Sequence, residues 1–200
     1  MTTGVGSYEW RFDSGRVCLD LVATGEPAPR GFDDEPRGDD AGLLGRWLTG
    51  SGLVPRGTPL TGVDTGWVQR FAELRDCVGQ LVRAEIDGRQ AAAALERVNA
   101  VAAGAPPGIR AVREPGGGLV RTLSDDPECG ALLAVVARDT VDLLTDPVAR
   151  ARLRQCEGDN CRRVYLDTSR GRRRRWCSSE VCGNRERVAR HRRRAAVARA

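Results

Sequence analysis

Four cysteines near the C-terminus limit what this chain can fold into more than any other feature. Cys156, Cys161, Cys177 and Cys182 fall within 27 residues, spaced Cys-x4-Cys-x15-Cys-x4-Cys. Two close pairs separated by a medium loop suit a structural tetrahedral zinc site. Each pair supplies two thiolates from one knuckle, and the loop lets the knuckles face each other. A catalytic zinc keeps one position open, whereas four sulfurs close the shell. A redox dithiol would show a single pair with two intervening residues. The spacing therefore predicts one structural Zn2+ held by these four residues. The odd total of seven cysteines, and an N-terminus (MTTGVGSYEWRF) without basic or apolar signal regions, argue against a disulfide framework. Cys18, Cys77 and Cys129 stand singly among apolar neighbours and read as small core hydrophobes.

Charge divides the chain at about the same place. Residues 150–200 hold 17 arginines against 5 acids, while residues 1–149 hold 15 arginines against 22 acids. All 32 basic residues are arginine. An acidic body with a strongly basic tail is the electrostatic footprint of a polyanion binder. No apolar run approaches the roughly 18–20 residues of a membrane span, so a cytoplasmic protein is expected, nucleoid-associated when bound to DNA.

Hydrophobic periodicity predicts an α+β protein with a mostly helical N-terminal domain over residues 1–145. A β-prone piece at 8–12 and the turn Asp13-Ser14-Gly15 precede Val17, Leu19, Leu21 and Val22, whose spacing fits a buried strand or a helix start. Gly25 to Asp40 reads as an exposed loop. Leu43, Leu44, Trp47 and Leu48 mark one face of a short helix, and Pro55 to Gly62 reads as a second loop. Asp64 caps a long helix reaching about Asp87. Gln90–Ala103 reads as a helix with Leu95, Val98 and Val101 inward. Alternation on both sides of Glu114-Pro-Gly-Gly-Gly118 predicts a β-hairpin. The apolar run 127–145 predicts the central helix. Asp146-Pro147, a cap followed by proline, opens a short helix through VARARLRQ.

Residues 146–200 then form a small zinc-binding module of knuckle, hairpin and helix. Arg162 to Asp167 is strand-like, and Trp176 returns the chain toward Cys177 to pack over the metal. Gly183 is expected at a special backbone turn and Asn184 at the N-cap of an arginine-studded helix. Arg162, Arg163 and Arg175 would offset the negative charge of a four-thiolate shell. The remaining cations exceed that need. Arg170, Arg172, Arg173 and Arg174 on the loop, with Arg185, Arg187, Arg190, His191 and Arg194 on the helix, are the candidate nucleic-acid contacts. A phosphate backbone relieves their mutual repulsion, and an arginine fork reads guanine edges.

The segment CEGDNCRRVYLDTSRGRRRRWCSSEVCGNR closely resembles the CGNR zinc-finger family, named for Cys182, Gly183, Asn184 and Arg185. The match includes LDTSR (Leu166 to Arg170) and RRWC (Arg174 to Cys177). Upstream, GRVCLDLVAT resembles the domain that accompanies this finger, described as that of a stress-induced transcription regulator. Ala23 stands where that family carries asparagine. The resemblance implies a bacterial-type transcription regulator whose finger binds DNA.

The expected function is a DNA-binding transcription regulator with a sensor or dimerisation body, which leaves room for a small-molecule effector. RNA is the alternative polymer, with Tyr165 or Trp176 stacking on bases. The less favoured alternative is an enzyme whose N-terminal domain acts on a small molecule. That body has no histidine, glycine-rich phosphate loop or nucleophile setting. Asp20, the one acid in an apolar run, suits a helix cap or an arginine partner better than a catalytic pocket.

Overall fold

The computed structural model describes residues 11–25 and 39–197. Most of the β-prone piece at 8–12 and of the loop at 25–40 lies outside them. The ambiguous apolar stretch after Gly15 is a helix, α1 (Val17–Ala23). Its start is fixed from elsewhere in the chain. The Asp139 carboxylate accepts the Cys18 backbone N–H at 2.9 Å and pairs with Arg16 at 2.8 Å. A capping acceptor supplied by another helix is invisible to local periodicity.

Two aspartates cap the next helices. In α2 (Asp40–Gly50) Asp39 accepts from Gly42, and in α3 (Thr65–Ile86) Asp64 accepts from Trp67. Trp47 of α2 meets Phe71 of α3 edge-on, ring centroids 6.1 Å apart. α4 (Ala92–Ala102) buries Ala94 and Val98 but leaves Leu95 45% exposed. Of the expected inward residues Val98 is buried and Val101 packs partly buried against the core, while Leu95 gives its place to Ala94 where α4 meets α3 and α5. The expected hairpin is β1 (Ile109–Arg113) paired antiparallel with β2 (Leu119–Leu123). It stands largely exposed, with Leu123 reaching the core.

The central helix is α5 (Cys129–Thr145), which buries Leu132, Leu133, Val136, Ala137 and Leu143 against α1, α3 and α4. Asp146 caps a helix, but α6 (Pro147–Arg150) is only 4 residues long. The expected continuation is instead β3 (Leu153–Gln155), antiparallel to β4 (Val164–Leu166) with Leu153 opposite Leu166. Strand pairing satisfies this backbone while burying Leu153, so tertiary context overrides helical pattern. The strand partner of 164–166 therefore precedes the first cysteine pair and is not the returning Trp176 segment. The last element is α7 (Cys182–Val197).

β4 is buried on both faces. Successive strand side chains point to opposite faces. Val164 and Leu166 join the apolar core of α1, α3 and α5, whereas Tyr165 joins a second cluster with the cysteines. The segment before α1 lies along this strand. Leu166 N–H donates to the Ser14 carbonyl at 2.8 Å, and the Arg163 guanidinium donates to the Arg11 carbonyl at 2.7 Å. Gly15 has φ +91°, and a Cβ there would stand 3.1 Å from Leu166 Cβ. Only glycine combines that conformation with that approach.

Candidate metal centre and arginine surface

The first knuckle forms the connection of the β3–β4 hairpin, so strand pairing presents Cys156 and Cys161 together. Asn160 takes φ 60° within it, a conformation asparagine tolerates. Gly158 lies close under the sulfurs; a Cβ there would meet Cys182 Sγ at 3.3 Å and Cys156 Sγ at 3.5 Å. The second knuckle brings Cys177 and Cys182 to the same point. All four sulfurs lie within 4.8 Å of one another. Zinc–sulfur bonds of about 2.3 Å in a tetrahedron set sulfurs about 3.8 Å apart. Cys161 and Cys177 are 3.8 Å apart, and Cys177 and Cys182 3.6 Å. The donor set fits one zinc ion.

Surrounding groups favour thiolate. Backbone N–H groups of Cys177 and Gly158 donate to Cys156 Sγ at 3.2 and 3.4 Å. Hydrogen bonds from the Cys161 and Cys177 thiols, joined by these amides, hold Cys156 far below an ordinary thiol. Four adjacent sulfurs cannot all ionise without a cation. Hydrogen bonding to Cys156 and Cys161, with burial, pushes Cys177 up, and burial chiefly pushes Cys182 up to about 12. A divalent ion resolves this conflict by binding all four as thiolates. Trp176 packs beside the cluster, as expected.

Of the three arginines expected to offset the charge of the shell, two have carboxylate partners of their own. Arg163 is engaged by the Arg11 carbonyl and stands 3.5 Å from Asp13. Arg175 pairs with Glu157 at 2.6 Å. Arg162 is exposed.

Between the knuckles, one buried carboxylate shapes the arginine loop. Asp167, 1% exposed, accepts the Ser169 N–H at 2.9 Å and the Arg174 N–H at 3.1 Å. Burial pushes its carboxyl up, but the Ser169 and Arg174 hydrogen bonds and the Arg154 charge outweigh this and hold it below its ordinary range. Tyr165 completes the frame: its hydroxyl donates to the Arg174 carbonyl at 2.6 Å. Sequence reasoning missed both roles. The signal was present in Asp-Thr-Ser after a strand, the pattern of an Asx turn.

The expected contact residues separate into two groups. Arg170, Arg172 and Arg173 are exposed, with no partner among the described residues, and Arg172 takes φ 49° at the loop tip. Arg174 is committed to the scaffold. Its guanidinium lies 4.5 Å from the Tyr165 ring centroid and donates to the Trp176 carbonyl at 2.9 Å and to the Cys177 carbonyl. Tyr165 is fully buried and cannot stack on a base.

The launch of α7 also differs from expectation. Gly183 and Asn184 are its second and third residues, not its turn and cap. Gly183 has no positive φ. The turn is made by Ser178, whose Oγ accepts the Glu180 and Val181 N–H groups at 3.1 and 3.2 Å. Ser178 reaches the turn first, so the helix begins at the metal ligand. Along α7, Arg185, Arg187, Arg190, His191 and Arg194 are all exposed. Arg187 donates to the Ser179 carbonyl at 3.2 Å, and Arg193 pairs with Glu186 at 2.7 Å.

Two family models cover this architecture. One, ABATE, described as "Putative stress-induced transcription regulator", matches residues 15–147. The chain belongs to this family. The second, the CGNR zinc finger, matches residues 152–195, from the start of β3 through α7. No curated protein matches the chain. With the four cysteines gathered at one point, the two matches make this ABATE chain a zinc-binding regulator with one structural zinc. They describe a regulator and a zinc finger, not an enzyme. Among the described residues, no helix is long and apolar enough to cross a membrane.

Proposed function

We propose that the chain is a DNA-binding transcription regulator in which zinc holds an arginine surface in binding shape. One observation carries this reading. Arg170, Arg172, Arg173, Arg185, Arg190, His191 and Arg194 are exposed and without a partner among the described residues, on elements that all start from the metal centre or the Asp167 turn. So many unpaired guanidinium groups in one module repel one another, and a polyphosphate removes that repulsion while releasing counterions. A major groove admits an α-helix, and Arg187, Arg190, His191 and Arg194 lie exposed along α7. The loop arginines would rest on phosphate. The domain at 1–145 serves as the sensor or dimerisation body, open to a small-molecule effector, in the cytoplasm and on the nucleoid when bound.

Affinity for duplex DNA measured against salt tests the reading. With about six phosphate contacts, log K falls with a slope near −5 per log unit of salt. A flat dependence sinks the proposal. RNA is the competing polymer, and burial of Tyr165 removes one of its two stacking residues. Duplex DNA should displace structured RNA at equal nucleotide concentration, and the reverse order would favour RNA.

A further inference from the structure

We propose that the cleft between the Arg11–Asp13 segment and the second knuckle binds the terminal phosphomonoester of a nucleotide. The site goes beyond the duplex-binding surface and shares only Arg173 with it. The cleft holds about 420 Å³, within the size range of small-molecule sites.

Three properties of its wall select the ligand. Its cations are Arg11, Arg173, Arg174 and Arg175; Arg11 pairs with Asp13 and Arg175 with Glu157, which leaves Arg173 and Arg174 in excess over Glu180. A phosphomonoester offers such a cluster three acceptor oxygens and about −1.5 to −2 charge, more than an internal phosphodiester does. The second property is an unused donor. Ser178 lines the cleft at 5% exposure, and its Oγ already accepts two N–H groups. Its hydroxyl proton has no acceptor among the described residues, and a phosphate oxygen would supply one. Arg173 adds exposed donors without a partner among those residues. Third, the half-buried Trp176 ring, with the Arg175 guanidinium 5.2 Å from its centroid, forms a flat wall where a base can stack. Anion, donor and flat surface together describe a nucleotide. It comes either as a free mononucleotide or as the 5′-phosphorylated end of a strand.

The probe is adenosine 5′-monophosphate titrated calorimetrically into the zinc-loaded full chain. We expect saturable binding to one site, with adenosine and inorganic phosphate each at least about tenfold weaker, about 1.4 kcal/mol. Arg11→Glu and Ser179→Glu place a carboxylate in the cleft without touching a zinc ligand. Both should weaken the mononucleotide at least about tenfold with zinc content unchanged. A 5′-phosphorylated oligonucleotide that displaces the mononucleotide, where its 5′-hydroxyl counterpart does not, supports the strand end as the source. Absence of displacement by either supports the free nucleotide. Wild-type affinity in both variants overturns the site, as does failure of both the mononucleotide and the phosphorylated oligonucleotide to bind. Mononucleotide binding in a protein that shows no duplex binding would support this site and overturn the proposed function.

Discussion

The body around α5 and the finger differ in what closes their cores. Among the described residues the larger cluster contains 25 that are buried, including Leu19, Trp47, Phe71 and Leu132. The cluster at the metal contains Tyr165 and three buried cysteines, with Cys161, Trp176 and Val181 half-buried around them. Apolar burial at roughly 25 cal/mol per Å² sustains the first. The second holds too little apolar surface, and a structural zinc contributes about 10–16 kcal/mol apparent in such modules. β4 joins the two, Val164 and Leu166 facing one cluster and Tyr165 the other. The difference teaches that the surface chemistry of the finger depends on metal, while its position depends on the body.

The largest expected effect breaks the finger alone. Cys161→Ser or Cys182→Ser should release zinc, expose residues after Gln155 to protease and abolish nucleic-acid binding. The helices of the body should survive by circular dichroism. Zinc retained at one per chain in both variants would refute the ligand assignment. Acid should act in the same order. The thiolates take up protons first, so zinc leaves as pH falls before the body unfolds.

The reverse break lies at Leu132, which is fully buried. Leu132→Ala should cost about 2–5 kcal/mol in urea unfolding, with zinc still bound in the folded state.

Asp167→Ala sharpens the contrast within the finger. It leaves the Ser169 and Arg174 N–H groups without their acceptor, a loss of about 1–3 kcal/mol. Duplex affinity should fall about tenfold or more while zinc content stays constant. The folded pKa of Asp167 lies below its ordinary 3.8. Its stabilisation is therefore complete above about pH 4 and is lost as pH falls through the lower folded value. Arg172→Ala should leave the melting temperature unchanged and reduce the salt slope by about 1. Arg174→Ala should lower stability, because that side chain spans Tyr165 and the second knuckle. Equal behaviour of the two variants would contradict the division between binding and scaffold arginines.

The smallest effect belongs to Asp20, whose carboxylate accepts the Ser14 N–H at 3.0 Å. Burial raises its pKa above the ordinary 3.8. It therefore favours the fold at low pH and loses that contribution as pH rises through the folded value. Asp20→Asn keeps the acceptor and removes the charge. It should raise the melting temperature by about 1–3 °C at pH 7 and less at pH 4.

Much of this was legible where a residue's role is local. Asp64 announces α3, Glu114 to Gly118 announces the hairpin, and the cysteine spacing announces the metal centre. Roles set by distant partners were not. β3 is three residues whose strand character comes from β4, and α1 starts where Asp139 caps it. Arg173 and Arg174 are identical in sequence terms, yet one is exposed and one is braced against Tyr165. In WCSSEVCGNR the eye falls on Gly183 and Asn184, but Ser178 makes the turn. Its hydroxyl reaches two amides at once, which spacing alone does not reveal.

The central claim, that zinc shapes the arginine surface for duplex DNA, is tested most directly by anisotropy with and without chelator. The account predicts that removing zinc weakens duplex binding by about 100-fold and flattens the salt slope as phosphate contacts are lost. Equal affinity and slope in the zinc-loaded and zinc-free protein would contradict it, because the arginines would then act as an unshaped basic tail.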